Sequence, residues 1–140
     1  LPDFDPRRVP VVGVDDHLPA VPHEALTPVA LRARFATPPM WEPEVLLEKK
    51  FMDREPAHAS VLLGIVLREQ PMVLLTERTA HLSTHSGQVA FPGGRADPED
   101  ASPAATALRE AQEEVGLSPA FVEVLGNLPT YVTGSSFIIT

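Results

Sequence analysis

FPGGRADPEDASPAATALREAQEEVGL, residues 91–117, is the stretch that decides the fold. A proline and a double glycine lead into a segment with local helix signals at both ends. Ser102 supplies a capping hydroxyl, Pro103 suits the first helical position, and Gly116 suits the left-handed residue that closes a helix. The spacing predicts a helix over 103–115. At about 100° per residue, Ala104, Ala107, Leu108, Ala111 and Val115 share one side and form the expected buried stripe. Glu110, Glu113 and Glu114 cluster on the opposite side at spacings i, i+3 and i+4, with Arg109 beside them.

A solvated acidic face is the plain explanation for such glutamates, and on an arbitrary helix the commoner one. Several features weigh against it here. The acids sit in the last two turns, where the helix dipole disfavours negative charge, and no lysine stands four residues on to relieve them. Their mutual repulsion must be offset, and a hard cation does this well. Magnesium prefers carboxylate oxygens together with water and phosphate oxygens. Gly93-Gly94 lets the backbone come close to a ligand and leaves a carbonyl free to bind it. Phe91 is expected in the core.

Working outward, ASVLLGIVLR (59–68) is an apolar run of strand length, EQP (69–71) a turn, and MVLLTER (72–78) a second strand, so the pair reads as a hairpin. GQVAF (87–91) reads as a third strand stopped by Pro92, and 95–102 as loop. FVEVLGNLP (121–129) reads as another strand, and SFIIT (136–140) as the start of one more. A half-formed strand there is a sheet edge without continuation. The expectation is a natural protein that is longer, or a sheet completed by another chain. Ten of the 16 prolines precede residue 57. Residues 1–56 therefore read as a proline-rich extension with ALTPVALRARFA (25–36) as a short helix ended by Pro38-Pro39 and PEVLLEKKFM (43–52) as a second candidate, and residues 57–140 as the main domain. Strands on both sides of a helix that packs on them make an α/β fold the expectation.

The 140 residues carry a net charge of −8. That balance disfavours a nucleic-acid partner, which needs a basic stripe. It would also repel a small anionic substrate unless a cation or local arginines reverse the field. The absence of cysteine excludes disulfides, thiolate catalysis and a cysteine zinc site. It fits a reducing compartment, and the expected location is cytoplasmic. No run of 18 apolar residues spans a membrane.

Gly94 to Leu117 resembles the Nudix box, G-x5-E-x7-R-E-U-x-E-E-x-G-U with U aliphatic; REAQEEVGL at 109–117 matches its second half. The first half departs, because five residues after Gly94 lead to Asp100 rather than glutamate, and eight then precede Arg109. Asp97, Glu99 and Asp100 are the candidates for the first acid. That extra residue, with LLTERTAHLSTHSGQVAFPGG at 74–94, resembles the coenzyme A diphosphatase branch of the family, although Ser83 stands where a basic residue is expected. The resemblance covers about 57–140 and implies an α/β/α sandwich with a mixed sheet. It implies hydrolysis of a pyrophosphate linkage in a small nucleotide substrate, coenzyme A or its thioesters giving 3′,5′-adenosine bisphosphate and 4′-phosphopantetheine. Glu110, Glu113, Glu114 and the Gly94 carbonyl would hold Mg²⁺ or Mn²⁺, with Arg109 orienting a glutamate. Arg78, His81, His85 and Gln88 are candidate substrate contacts, Tyr131 a further one, and a homodimer follows by analogy. Two alternatives stay open: a relative acting on ADP-ribose or nucleoside triphosphates, and an inactive binding module with this fold.

Overall fold

The computed structural model describes residues 8–14, 16–40, 48–77 and 87–140. The strands are β1 (Ala57–Val61), β2 (Gly64–Val66), β3 (Met72–Leu74), β4 (Thr76–Glu77), β5 (Val89–Ala90), β6 (Gly93–Arg95), β7 (Tyr131–Val132) and β8 (Phe137–Ile139). The helices are α1 (Pro28–Ala36) and α2 (Pro103–Val115). Four strands form a mixed sheet in the order β6-β1-β8-β7, with β1 parallel to β8 and the other neighbours antiparallel. β2 pairs with β3 in the expected hairpin, and β4 pairs with β5.

The helix α2 begins and ends where its sequence signals stand. The Ser102 side chain accepts from the Ala105 amide at 3.1 Å, Pro103 opens the helix, and Gly116 closes it at φ 70°. The buried face differs from the expected stripe. Thr106, Ala107 and Ala111 are buried, whereas Val115 is 42% exposed. The helix has turned its acids partly toward the sheet. Two glycines make that possible, since a Cβ at Gly94 would overlap the Glu110 carboxylate and one at Gly93 would overlap the β1 backbone. Small side chains on both elements then let α2 lie close on β6 and β1.

Other expectations are corrected. The apolar run 59–68 is two strands, because Leu62 donates to the Pro92 carbonyl (2.8 Å) beside β6 and the chain then leaves to pair with β3. Gly93–Arg95 is strand rather than the edge of a loop, and the strand expected at 87–91 shortens to Val89–Ala90. Residues 122–130 join no ladder. A 3-10 turn at Pro119–Phe121 precedes them, Gly126 lies against the Phe35 ring, and Pro129 lacks a donor. Strand pairing starts only at Tyr131. Phe91 is half-buried, and the fully buried neighbour is Pro92.

Of the second helix candidate, 43–47 lies outside the described residues, and 48–52 is not helical. Residues 48–52 lie instead along the β7–β8 turn. The Glu48 carboxylate accepts from the Tyr131 hydroxyl and the Gly134 amide, both at 2.8 Å. The Phe51 amide donates to the Gly134 carbonyl at 2.9 Å, and the Ser136 hydroxyl to the Met52 carbonyl at 3.2 Å. Ser136 holds φ 62°, a left-handed conformation that this bond helps to maintain. Further back, Arg32 of α1 forks onto Glu123 at 2.7 and 2.6 Å. Among the described residues no helix is long and apolar enough to cross a membrane.

Removing the α2 cap with Ser102→Ala should lower the unfolding free energy by about 1 kcal/mol. Urea denaturation of the two proteins checks this, and an unchanged midpoint would mean that the cap bond adds nothing.

Candidate active site

The site forms where α2 crosses the outer edge of the four-stranded sheet. β6 is the edge strand. Its ladder bonds to β1 fix which backbone groups face outward. Leu62 donates to Pro92, and Ala96 donates to His58, so by antiparallel alternation Ser60 and Gly94 form the hydrogen-bonded pair between them. The Gly94 carbonyl is therefore directed across the ladder. Gly93 and Arg95 turn their backbone groups outward, toward the α2 side chains. The Gly93 amide donates to Glu114 Oε2 at 3.2 Å, and the Arg95 carbonyl accepts from Arg109 Nη2 at 3.0 Å.

Arg109 is the hub. Its Nε and Nη2 fork onto Asp100 at 3.1 and 3.0 Å. Its Nη1 reaches Glu110 at 2.9 Å and both Glu113 oxygens at 3.4 Å. The Asp100 side chain is 9% exposed and that of Glu110 18%, against 59% for Glu113. Asp100 also accepts from the Asp97 amide at 2.9 Å. These donors, the Arg109 guanidinium first and the Asp97 amide second, hold the Asp100 carboxyl well below the usual aspartate range. The same bonds, Asp100 first and Glu110 next, raise Arg109 above its ordinary value.

Of the three candidates for the first acid, Asp100 is the one that meets Arg109. Asp97 instead accepts from the Glu99 amide at 2.9 Å and shapes the loop. Sequence spacing alone left the choice open, because the loop has to be traced in space before its acids can be ranked. The role of the Gly93 amide was also missed; the only sequence signal for it is the double glycine itself.

The structure brings Arg109, Glu110, Glu113, Glu114 and Gly94 together. Gln88 is half-buried and already engaged by a partner. Arg78, His81 and His85 lie outside the described residues. Tyr131, on β7, is tied to Glu48, with two strands between it and β6 in the sheet order β6-β1-β8-β7.

A divalent cation fits the donor chemistry: three carboxylates of one helix, hard oxygen ligands, beside a glycine whose missing side chain gives Glu110 room. The carboxylates do not converge as a ready cage. Among the described residues no group of three or more His, Cys, Asp or Glu is arranged to hold a metal ion. They are turned instead to Arg109 and the Gly93 amide.

Residues 57–137 match the family described as NUDIX domain, a span of more than half the chain. The chain belongs to the Nudix family. The Nudix segment includes β1, β6 and α2, the three elements that build the site. The chain is 54% identical over 83 residues to a Yersinia enterocolitica protein named "Uncharacterized Nudix hydrolase NudL", covering 59% of this chain and 43% of that one. A Shigella flexneri protein of the same name is 51% identical over 92 residues, covering 64% and 48%. One from Yersinia pestis is 46% identical over 96 residues, covering 69% and 48%. The chain thus spans about half the length of the curated relatives it matches.

The Asp100–Arg109 fork sets an acid-stability prediction. The folded carboxyl titrates below its ordinary 3.8, so its contribution is complete above that value and fades only as pH falls through the lower folded one. Asp100→Asn should therefore destabilise the Nudix domain at pH 7 and lose that difference only under strongly acidic conditions. Urea melts of both proteins from pH 7 to pH 2 measure it, and a difference already gone at about pH 4.5 would contradict the fork.

Proposed function

We propose that this Nudix protein hydrolyses a pyrophosphate linkage in a nucleotide derivative, with coenzyme A or its thioesters as the substrate and 3′,5′-adenosine bisphosphate and 4′-phosphopantetheine as products. The reading rests on one observation above the others. Glu110, Glu113 and Glu114 gather with Arg109 at the glycine edge of β6, inside the segment that matches the family. The substrate branch rests on the sequence at 74–94 and on the extra residue before Arg109.

Phosphoryl transfer asks a protein for positioning and charge neutralisation more than for covalent chemistry. Glu110, Glu113 and Glu114 are the proposed holders of Mg²⁺ or Mn²⁺, with the second lone pair of the Gly94 carbonyl as a further oxygen ligand. When bound, the ion would neutralise pyrophosphate charge and acidify an attacking water. Arg109 positions the carboxylates: it bonds Glu110 closely and Glu113 loosely, while Asp100 anchors its far side. Glu113, the most exposed of these side chains, has the weakest hold to give up. One of the three glutamates takes the proton of the attacking water. The Gly93 amide fixes one oxygen of Glu114 and leaves the other free.

Glu113→Gln or Glu114→Gln should lower kcat by roughly 10²-fold or more with the fold intact, the size expected when a transition-state charge contact is lost. Chromatographic quantitation of the nucleotide products from coenzyme A, ADP-ribose and dGTP, assayed side by side with Mg²⁺, measures the loss and ranks the substrates. Near wild-type turnover by either variant would remove the acids from the mechanism. Preference for ADP-ribose or dGTP would keep the hydrolase and move it to another branch.

A further inference from the structure

We propose that Asp97 is a positioning residue of the active site, holding Asp100 in the orientation from which its carboxylate grips Arg109. Its effect on turnover rests on the function proposed above; the turn geometry does not.

The chain has little length between the last bond of β6 to β1 and the first turn of α2. The Ala96 amide donates to the His58 carbonyl at 2.9 Å, and Ser102 caps α2. Residues 97–101 lie between, and they have to deliver a carboxylate to Arg109. The sequence Asp97-Pro98-Glu99-Asp100 suits a tight turn, since aspartate favours its first position and proline its second. Three bonds close it. The Asp100 amide donates to the Asp97 carbonyl at 3.0 Å, the Glu99 amide to Asp97 Oδ1 at 2.9 Å, and the Asp97 amide to Asp100 Oδ2 at 2.9 Å. The backbone bond by itself would leave the Asp100 side chain free to rotate. The bond from the Asp97 amide removes that freedom, and the Asp97 carboxylate holds the turn so that this amide stays aimed at Oδ2.

The same Oδ2 accepts from Arg109 Nη2 at 3.0 Å, and Oδ1 accepts from Nε at 3.1 Å. A planar fork on a carboxylate is demanding in geometry, so a turned Asp100 would lose it. Arg109 has Nη1 left for Glu110 at 2.9 Å and Glu113 at 3.4 Å. Asp97 itself is exposed, and among the described residues its side chain bonds the Glu99 amide and none of the α2 glutamates. Its influence on them passes through Asp100 and then Arg109.

Kinetics on the substrate that wild type turns over fastest test the relay. Asp97→Ala removes the acceptor and should lower kcat about tenfold, a scale on which small displacements of catalytic groups act. Asp97→Asn keeps an acceptor oxygen in the same place without the charge and should stay within about twofold of wild type. In an Arg109→Lys background, which has no fork to receive Asp100, adding Asp97→Ala should cost less than about twofold more. A turn that matters to stability alone would instead cost the same factor in both backgrounds. Urea unfolding follows the contact without turnover: Asp97→Ala should shift the midpoint less in an Asp100→Asn background than in wild type. Full activity of Asp97→Ala, a loss in Asp97→Asn as large as in Asp97→Ala, or equal kinetic losses in the two backgrounds overturns the proposal. If wild type hydrolyses none of coenzyme A, ADP-ribose or dGTP, the activity reading falls and the urea comparison decides: a smaller shift beside Asp100→Asn keeps Asp97 as the residue that holds Asp100, and equal shifts refute it.

Discussion

Arg109 ties together three parts of the molecule that have little else in common. Its fork holds the loop carrying Asp100, its Nη1 restrains two glutamates of its own helix, and its Nη2 reaches the outer strand of the sheet. An exposed ion pair between two flexible side chains contributes little. Here the acid is almost covered and the geometry is bidentate, so the loop, helix and strand share one register. This also revises the argument from repulsion. The glutamates of α2 are offset partly from within the protein, by Arg109 and the Gly93 amide, before any cation is considered.

The parts legible in the sequence were those governed by local chemistry. The hydroxyl of Ser102, the ring of Pro103 and the freedom of Gly116 act within a few residues of themselves, and α2 has the predicted bounds. The hairpin of β2 and β3 was readable for the same reason. The face of α2 was not. Hydropathy put Val115 inside and the acids outside, but the Gly-Gly strand gives Glu110 a place against Gly94 that no hydropathy scale can register. The stretch 121–129 has the composition of a strand, yet ladder pairing depends on a neighbour, and Gly126 meets the Phe35 ring instead.

The proline-rich region shows the same limit. Composition gave no function for Glu48, which is one acid among several in its neighbourhood. Its partners, Tyr131 and Gly134, lie more than 80 residues further on. Through them residues 48–52 are fastened to the β7–β8 turn, and β8 in turn lies beside β1, the strand that carries β6. Gly134 is required at that point, because a side chain there would collide with the Lys49 carbonyl and the Phe51 ring.

The outward groups of β6 carry a last consequence. An outer strand with bare amides and carbonyls is a template on which a second chain can build intermolecular β-structure. In this protein the Gly93 amide is taken by Glu114 and the Arg95 carbonyl by Arg109, so the template is blunted by the same side chains that form the acidic site. Side chains at both positions therefore bear on self-association as well as on the geometry of the acidic cluster.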